Sequence, residues 1–372
     1  MQGVNGIGMV LLPLPGTEWM AERIKAYIND IDPTIECESA EVEIVRFSSG
    51  DAKAMLKDSI RGKDVFILVD VRNFDCKYEV CGRESHISPD DHFQNLIRTI
   101  SAVGGKAFRI NVIMPYLYAS RQDRRSHRES LDCAIALQFL EKLGVKNIVA
   151  LDVHDDRVQN AVPLLGFDNL TPIYQMIKAM CKDHSDIHFD SDSMVLISPD
   201  LGGANRVYMY ASPLGVDFGL FYKRRDHSVI INGSNPIVEH KYIGPEVKGK
   251  DVLIIDDIID SGGSILEAAT QVKSLGAKRV FIGVTFCNFS NGIQSFNEAY
   301  NNGVFDALFV SNASHCAQEV INADWYREVN IVKYLSFYVY SVSMGISLAG
   351  ILDPKKKIAD LLSKYDSTFK KS

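Results

Sequence analysis

The chain has 372 residues, with 40 Lys+Arg against 47 Asp+Glu and a formal net charge of -7. Hydrophobic residues make up 46% and charged residues 23%, a globular mix that excludes disorder as the main state. The mild acidic excess also argues against a duplex-DNA binder, which needs a net basic face, so an anionic ligand has to be held by local donors or a metal.

Short apolar, β-branched runs recur along the chain, at residues 64–69, 110–114, 148–151, 194–197, 252–255 and 280–284. Continuous runs of that length predict strands buried on both faces of a parallel sheet. Between them, residues 131–143 and 265–275 carry apolar side chains at helical spacing, and Gly144 and Gly276 stand where helices end. The class is α/β with crossover helices. At roughly 150 residues per domain the length predicts two domains.

The sequence repeats itself. Gly62-Lys63-Asp64-Val65 opens one apolar run and Gly249-Lys250-Asp251-Val252 another. Val103-Gly104-Gly105-Lys106 and Leu275-Gly276-Ala277-Lys278 each lead into the next strand. The halves read as two copies of one βαβ plan, the first lengthened by a polar insertion near residues 73–86.

Seven cysteines, an odd number scattered over the chain, read as reduced thiols in a cytoplasmic protein. Cys76 and Cys81 lie close, without the second pair that a structural zinc site needs. The N-terminus shows no basic leader region or cleavage pattern. Residues 334–352 are uncharged over 19 positions, the lower limit of a membrane span. Their serines and tyrosines, and the run 336–343 above all, predict a buried strand and turn.

The strongest chemical signal is residues 252–264. A buried strand ends in Asp256 and Asp257; then come Asp260, Ser261, Gly262, Gly263 and Ser264, and a helix begins. Such a turn offers backbone N–H groups and hydroxyls at a helix N-terminus, an anion site that glycine lets a phosphate approach. The carboxylates cannot bind phosphate directly, but they accept hydrogen bonds from sugar hydroxyls or reach a metal through water. Together these groups describe a sugar-phosphate site. A Walker A pattern and a complete G-x-G-x-x-G are both missing from the chain.

This stretch resembles the signature of the phosphoribosyltransferase fold. Five more segments narrow the resemblance: residues 46–51, 116–125, 152–159, 198–206 and 222–225. In order and spacing they resemble ribose-phosphate pyrophosphokinase, the phosphoribosyl pyrophosphate synthetase family, from about Val42 to Asp306. The resemblance implies two tandem phosphoribosyltransferase-like domains, each a mostly parallel sheet flanked by helices. They are expected at 1–168 (the nucleotide side) and 169–340 (the sugar-phosphate side), with a tail at 341–372 that helps complete the first. It implies transfer of the β,γ-diphosphoryl group of ATP to ribose 5-phosphate, with Mg2+ as cofactor, in a cytoplasmic homo-oligomer that binds neither nucleic acid nor membrane.

Residue by residue, Lys223 and Arg225 resemble the family's mobile catalytic loop, and Arg225 also reaches the sugar phosphate. Phe47, Ser49 and Asp51 resemble an adenine-reading loop, and Arg121, Gln122 and His154 the other ATP contacts. Asp200, Gly202 and Gly203 resemble the pyrophosphate loop. His154 and Asp200 are the implied magnesium contacts, with Asp200 the better direct ligand because magnesium prefers oxygen. Asp256, Asp257, Asp260, Ser261, Gly262, Gly263 and Ser264 are the expected ribose 5-phosphate contacts. The chain departs from the family at Asn160-Ala161-Val162, Leu131-Asp132-Cys133, Ser49, Asp51, residues 73–86 and the stretch beyond Asp324. Two other readings share some of these residues, a phosphoribosyltransferase and a non-catalytic regulatory subunit of such synthetases. The first does not need the Arg121, His154 and Lys223 set, and the second loses the acid-rich turn and the loop cations.

Overall fold

The structure, a computed structural model, describes residues 7–225 and 237–369; residues 223–225, 237–240 and 366–369 are described by backbone only. In chain order the elements are β1 (Met9–Pro13), α1 (Glu18–Ile31), β2 (Cys37–Ser39), β3 (Val42–Arg46), β4 (Ala52–Leu56), β5 (Asp64–Leu68), β6 (Lys77–Val80) and β7 (Arg83–His86). Then come α2 (Pro89–Val103), β8 (Arg109–Ile113), α3 (Asp132–Lys142), β9 (Asn147–Leu151) and β10 (Gly166–Leu170). The next stretch holds α4 (Ile173–Asp183), β11 (Met194–Ser198), α5 (Ala204–Leu214), β12 (Phe218–Arg225), β13 (Ile237–Ile243), β14 (Asp251–Ile259) and α6 (Gly263–Ser274). Last are β15 (Arg279–Cys287), α7 (Gln294–Asn301), β16 (Ala307–Ser311), α8 (Gln318–Ile321), β17 (Tyr326–Val329), α9 (Val332–Met344), α10 (Ala349–Leu352) and α11 (Lys355–Phe369).

Among the described residues the chain forms two compact units. One comprises the residues up to Thr171 with 312–315 and 330–352; the other comprises 172–311, 316–329 and those from Asp353 on. The stretch read as a tail from 341 is thus divided, the part through Leu352 belonging with the first unit and the part from Asp353 with the second.

The first unit is built on a six-stranded parallel sheet, ordered β10-β9-β8-β5-β1-β2. The second has seven strands, β13-β12-β11-β14-β15-β16-β17, all parallel except the edge strand β13. Strands β5, β11 and β16 are buried at every position. That explains their unbroken apolar runs, because helices cover both faces of a parallel sheet.

The two units repeat one plan down to single residues. The order β2-β1-β5-β8-β9-β10 in one matches β12-β11-β14-β15-β16-β17 in the other. Asp64 opens β5 beside Arg109 of β8, and Asp251 opens β14 beside Arg279 of β15, in the same register. Each arginine grips its buried aspartate with two hydrogen bonds, Nε to Oδ1 at 2.9 Å in both. Such paired, charge-assisted contacts fix strand register as well as adding energy. Gly144 and Gly276 follow α3 and α6 with φ of 91° and 93°, the left-handed position that closes a helix end.

The insertion near 73–86 folds as the antiparallel hairpin β6–β7. One expectation is overturned. Residues 336–343, read as strand and turn, lie in helix α9. Val332, Leu335, Ser336, Tyr338, Val339, Ser341 and Ser343 are all buried, so the helix has no polar face to reveal its period. Three of its buried hydroxyls are hydrogen-bonded, Tyr338 Oη donating to Asp168 at 2.8 Å, Tyr334 Oη to the Ile351 carbonyl at 2.9 Å and Ser336 Oγ to the Val332 carbonyl at 2.8 Å. Among the described residues, no helix is long and apolar enough to cross a membrane. None of the seven cysteines is in a disulfide.

Candidate active site

In an open parallel sheet, ligands gather at the carboxyl ends of the strands. In the second unit β11 and β14 are parallel neighbours, with Ile197 beside Ile254, so the loops that follow them leave the same edge. The loop after β11 holds Asp200, Gly202 and Gly203; Asp256 and Asp257 lie at the end of β14, and Asp260, Ser261 and Gly262 lead from it into α6.

The loop after β11 is folded on itself. Ser198 Oγ donates to the Asp200 carbonyl at 2.6 Å, and the Gly203 N–H donates to Asp200 Oδ1 at 3.2 Å. A Cβ at Gly203 would lie 2.5 Å from Ser198 Oγ, so a side chain there would break this wrap. The Gly203 N–H is turned onto the loop's own carboxylate, while Gly202 stays exposed.

Strand β14 carries Asp256 and Asp257 within its last four residues. Asp257 is 6% exposed. Arg206 of α5, itself buried, stands 3.6 Å from Asp256 and 3.5 Å from Asp257. Asp260 follows, its carbonyl accepting from the Ser290 N–H and its carboxylate from Asn288 Nδ2 at 3.4 Å. Gly262 then turns the chain at φ 81°, where a Cβ would strike Phe296 at 2.2 Å, and α6 begins at Gly263. The first amides of α6 lie where a helix has N–H groups without carbonyl partners of its own. Ser261 and Gly263 are exposed beside them.

Arg206 received no role from the sequence. A signal existed: it is a cation in the first turn of a helix, where the macrodipole disfavours positive charge. An acid pair opposite that end compensates. Asn288 and Ser290 were missed as well, because only tertiary pairing of β14 with β15 brings them to Asp260.

The Asp256 carboxyl is held above the usual carboxylate range, by burial first and by Asp257 second, with Arg206 acting the other way. A folded-state pKa above the unfolded one costs stability as pH rises through the raised value, and the cost vanishes below the unfolded value. Asp256→Asn removes that cost. It is expected to be more stable than the parent by ~1 kcal/mol at about pH 8, with the gap closing below about pH 4. Denaturant melts across that range check this; a gap that does not change with pH rejects it.

In the first unit, Arg121 and Gln122 follow β8 and His154 follows β9, strands that are parallel neighbours. Arg121 and His154 are exposed; Gln122 Nε2 donates to the Ser130 carbonyl at 3.0 Å. Phe47, Ser49 and Asp51 lie instead at the tip of the separate β3–β4 hairpin. The Phe47 N–H donates to the Asp51 carbonyl at 2.8 Å, and Ser49 Oγ to Asp51 Oδ2 at 2.9 Å. Phe47 is 49% exposed, with Lys53 Nζ 5.9 Å from its ring centre. Lys223 and Arg225 lie on β12, Lys223 opposite His240 and a bulge falling between Arg224 and Arg225. Their side chains, and residues 226–236, fall outside the described residues.

Among the described residues no group of three or more His, Cys, Asp or Glu is arranged to hold a metal ion. Magnesium that arrives on phosphates needs only one or two protein carboxylates. Asp200, half-buried with one carboxylate oxygen on a backbone amide, fits that limited demand.

Comparison with known proteins supplies the remaining observations. The model of the N-terminal domain of ribose phosphate pyrophosphokinase matches residues 9–144, and that of the phosphoribosyl transferase domain matches residues 167–301. A ribose-phosphate pyrophosphokinase of Vibrio vulnificus is 31% identical over 351 residues, 91% of this chain and 96% of that protein. One from Vibrio parahaemolyticus is 29% identical over 324 residues, 84% of this chain and 91% of that protein. The crystal structure of phosphoribosylpyrophosphate synthetase from Mycobacterium smegmatis matches with a TM-score of 0.71 at 21% identity. It covers 90% of this chain and 98% of that one, a likeness of fold.

Proposed function

Because the chain belongs to the ribose-phosphate pyrophosphokinase family, we propose that it makes phosphoribosyl pyrophosphate by moving the β,γ-diphosphoryl group of ATP to the 1-hydroxyl of ribose 5-phosphate. AMP is the leaving product. The observation that carries the reading is the end of β14, where two carboxylates share Arg206 and the strand then leads through Asp260 and the Gly262 turn into α6.

Asp256, Asp257 and Asp260 accept hydrogen bonds from the ribose hydroxyls, and the segment 261–264 holds the 5-phosphate with amides and hydroxyls. Asp200, Gly202 and Gly203 border the departing and arriving phosphates. In this state the Gly203 amide serves Asp200, so exchange of that hydrogen bond for a phosphate oxygen is part of binding. Arg121, Gln122, His154 and the Phe47–Asp51 loop take the nucleotide. Displacement at phosphorus builds charge on phosphoryl oxygens, and Lys223 and Arg225 are the cations assigned to it. Asp200 would hold magnesium directly and His154 through water or phosphate, and the ion would supply positive charge against the phosphates.

A phosphoribosyltransferase accounts for the second half of the chain but leaves the match at residues 9–144 without a purpose. The regulatory-subunit reading is disfavoured by the intact acid-rich turn and by Lys223 and Arg225. Homo-oligomerisation follows the family resemblance, and seven thiols outside disulfides suit the cytoplasm.

Purified protein given Mg-ATP and ribose 5-phosphate is expected to release AMP and phosphoribosyl pyrophosphate in equal amounts, and neither without the sugar. ADP as the nucleotide product, or no turnover, overturns the reading.

A further inference from the structure

The insertion hairpin β6–β7 is fastened to the tip of the β3–β4 hairpin. The Cys81 N–H donates to the Ser48 carbonyl at 2.8 Å. A Cβ built on Gly50 would sit 3.0 Å from Val80 Cγ2, so the two tips are in close contact. Arg46, the last residue of β3, lies with its guanidinium 4.0 Å from the ring centre of Tyr78 in β6. The same guanidinium donates from Nη1 to the Gly50 carbonyl at 3.2 Å and from Nη2 to Asp91 Oδ1 at 3.4 Å. Asp91 is in turn fixed in the capping box of α2 with Ser88.

The hairpin has little else to do for the fold. Its strands are four residues each and mostly exposed, and an isolated two-stranded hairpin is marginal in water. It packs against the loop on which Phe47 and Asp51 are exposed. Arg46 joins the loop's carbonyl, the helix cap and the Tyr78 ring with one side chain.

We propose that the β6–β7 insertion is a brace for the nucleotide-reading loop, with Tyr78 and Arg46 as positioning residues that set its recognition of the adenine base. The inference rests on the reading of the Phe47–Asp51 loop as the adenine contact. A loop held in its binding conformation loses less freedom when the base docks, so the brace contributes to nucleotide affinity and to base discrimination without touching the nucleotide.

Steady-state kinetics with ATP and GTP, for Tyr78→Ala, Tyr78→Phe and Phe47→Ala, tests this. Tyr78→Ala is expected to raise KM for ATP about three- to tenfold, as loss of one cation–ring contact allows. It should narrow the preference for ATP over GTP and leave KM for ribose 5-phosphate unchanged. Tyr78→Phe, which keeps the ring face, should restore wild-type values. Should Tyr78→Ala melt early, Tyr78→Leu carries the test, because it keeps the apolar cover and removes the ring face. If Phe47→Ala raises KM for ATP while the Tyr78 variants keep the wild-type KM and base preference, the brace is refuted and the loop reading stands. If Phe47→Ala also changes nothing, the loop reading falls and the brace with it.

Discussion

Lys223→Ala is expected to lower kcat about a thousandfold while leaving the dissociation constant for ribose 5-phosphate nearly unchanged. Displacement at phosphorus moves negative charge onto phosphoryl oxygens as the bond to AMP lengthens, and a positioned ammonium acts most strongly on that transient charge. Strand β12 places Lys223 on the same sheet as β11, whose end leads to Asp200. The sugar-phosphate turn belongs to other strands, so its contacts survive the substitution. Rapid-quench measurement of the chemical step, with calorimetry for the sugar phosphate, separates the two quantities. Near-normal turnover removes Lys223 from the chemistry; a matching loss of sugar affinity makes it a binding residue instead.

Arg206→Ala is expected to destabilise the protein by about 2–4 kcal/mol and to weaken ribose 5-phosphate binding. The arginine is buried against two adjacent carboxylates at the end of a buried strand. Removing one partner of a buried charge set costs more than the set contributed, because the remaining charges keep their desolvation penalty. The contacts of 3.5 and 3.6 Å are long and Asp256 is partly exposed, which keeps the figure at the lower end of such effects. The sign of the pH dependence follows from the carboxyls. Without Arg206 the Asp256 carboxyl favours protonation more strongly, so the variant's deficit is largest at about pH 8 and shrinks as pH falls toward about 4. Arg206→Lys, which keeps the charge but not the fork, should recover part of the stability. A deficit independent of pH would mean that Arg206 acts through packing alone.

Much of this molecule was legible from residue order alone. Continuous apolar runs identified β5, β8, β9, β11, β14 and β15, since a strand buried on both faces must be an apolar run; the remaining strands of the two sheets were not read from the sequence. The repeated Gly-Lys-Asp-Val identified the duplication, and the structure gives it a cause: each copy seats its aspartate against an arginine on the neighbouring strand. The strand–turn–helix at residues 252–264 was legible because strand, acids, glycines and helix are consecutive in the chain.

What the tertiary structure decided involves groups distant in sequence or patterns that burial erases. Arg206 meets Asp256 and Asp257 only because β11 and β14 pair, and no local spacing predicts a contact across some fifty residues. Helix α9 read as a strand because burial on nearly every side left its period invisible. The insertion near 73–86 read as polar filler. Its partner, the tip at Ser48–Gly50, is joined to it by a backbone amide and a stacked guanidinium, contacts that depend on the chain's path rather than on a composition the sequence displays.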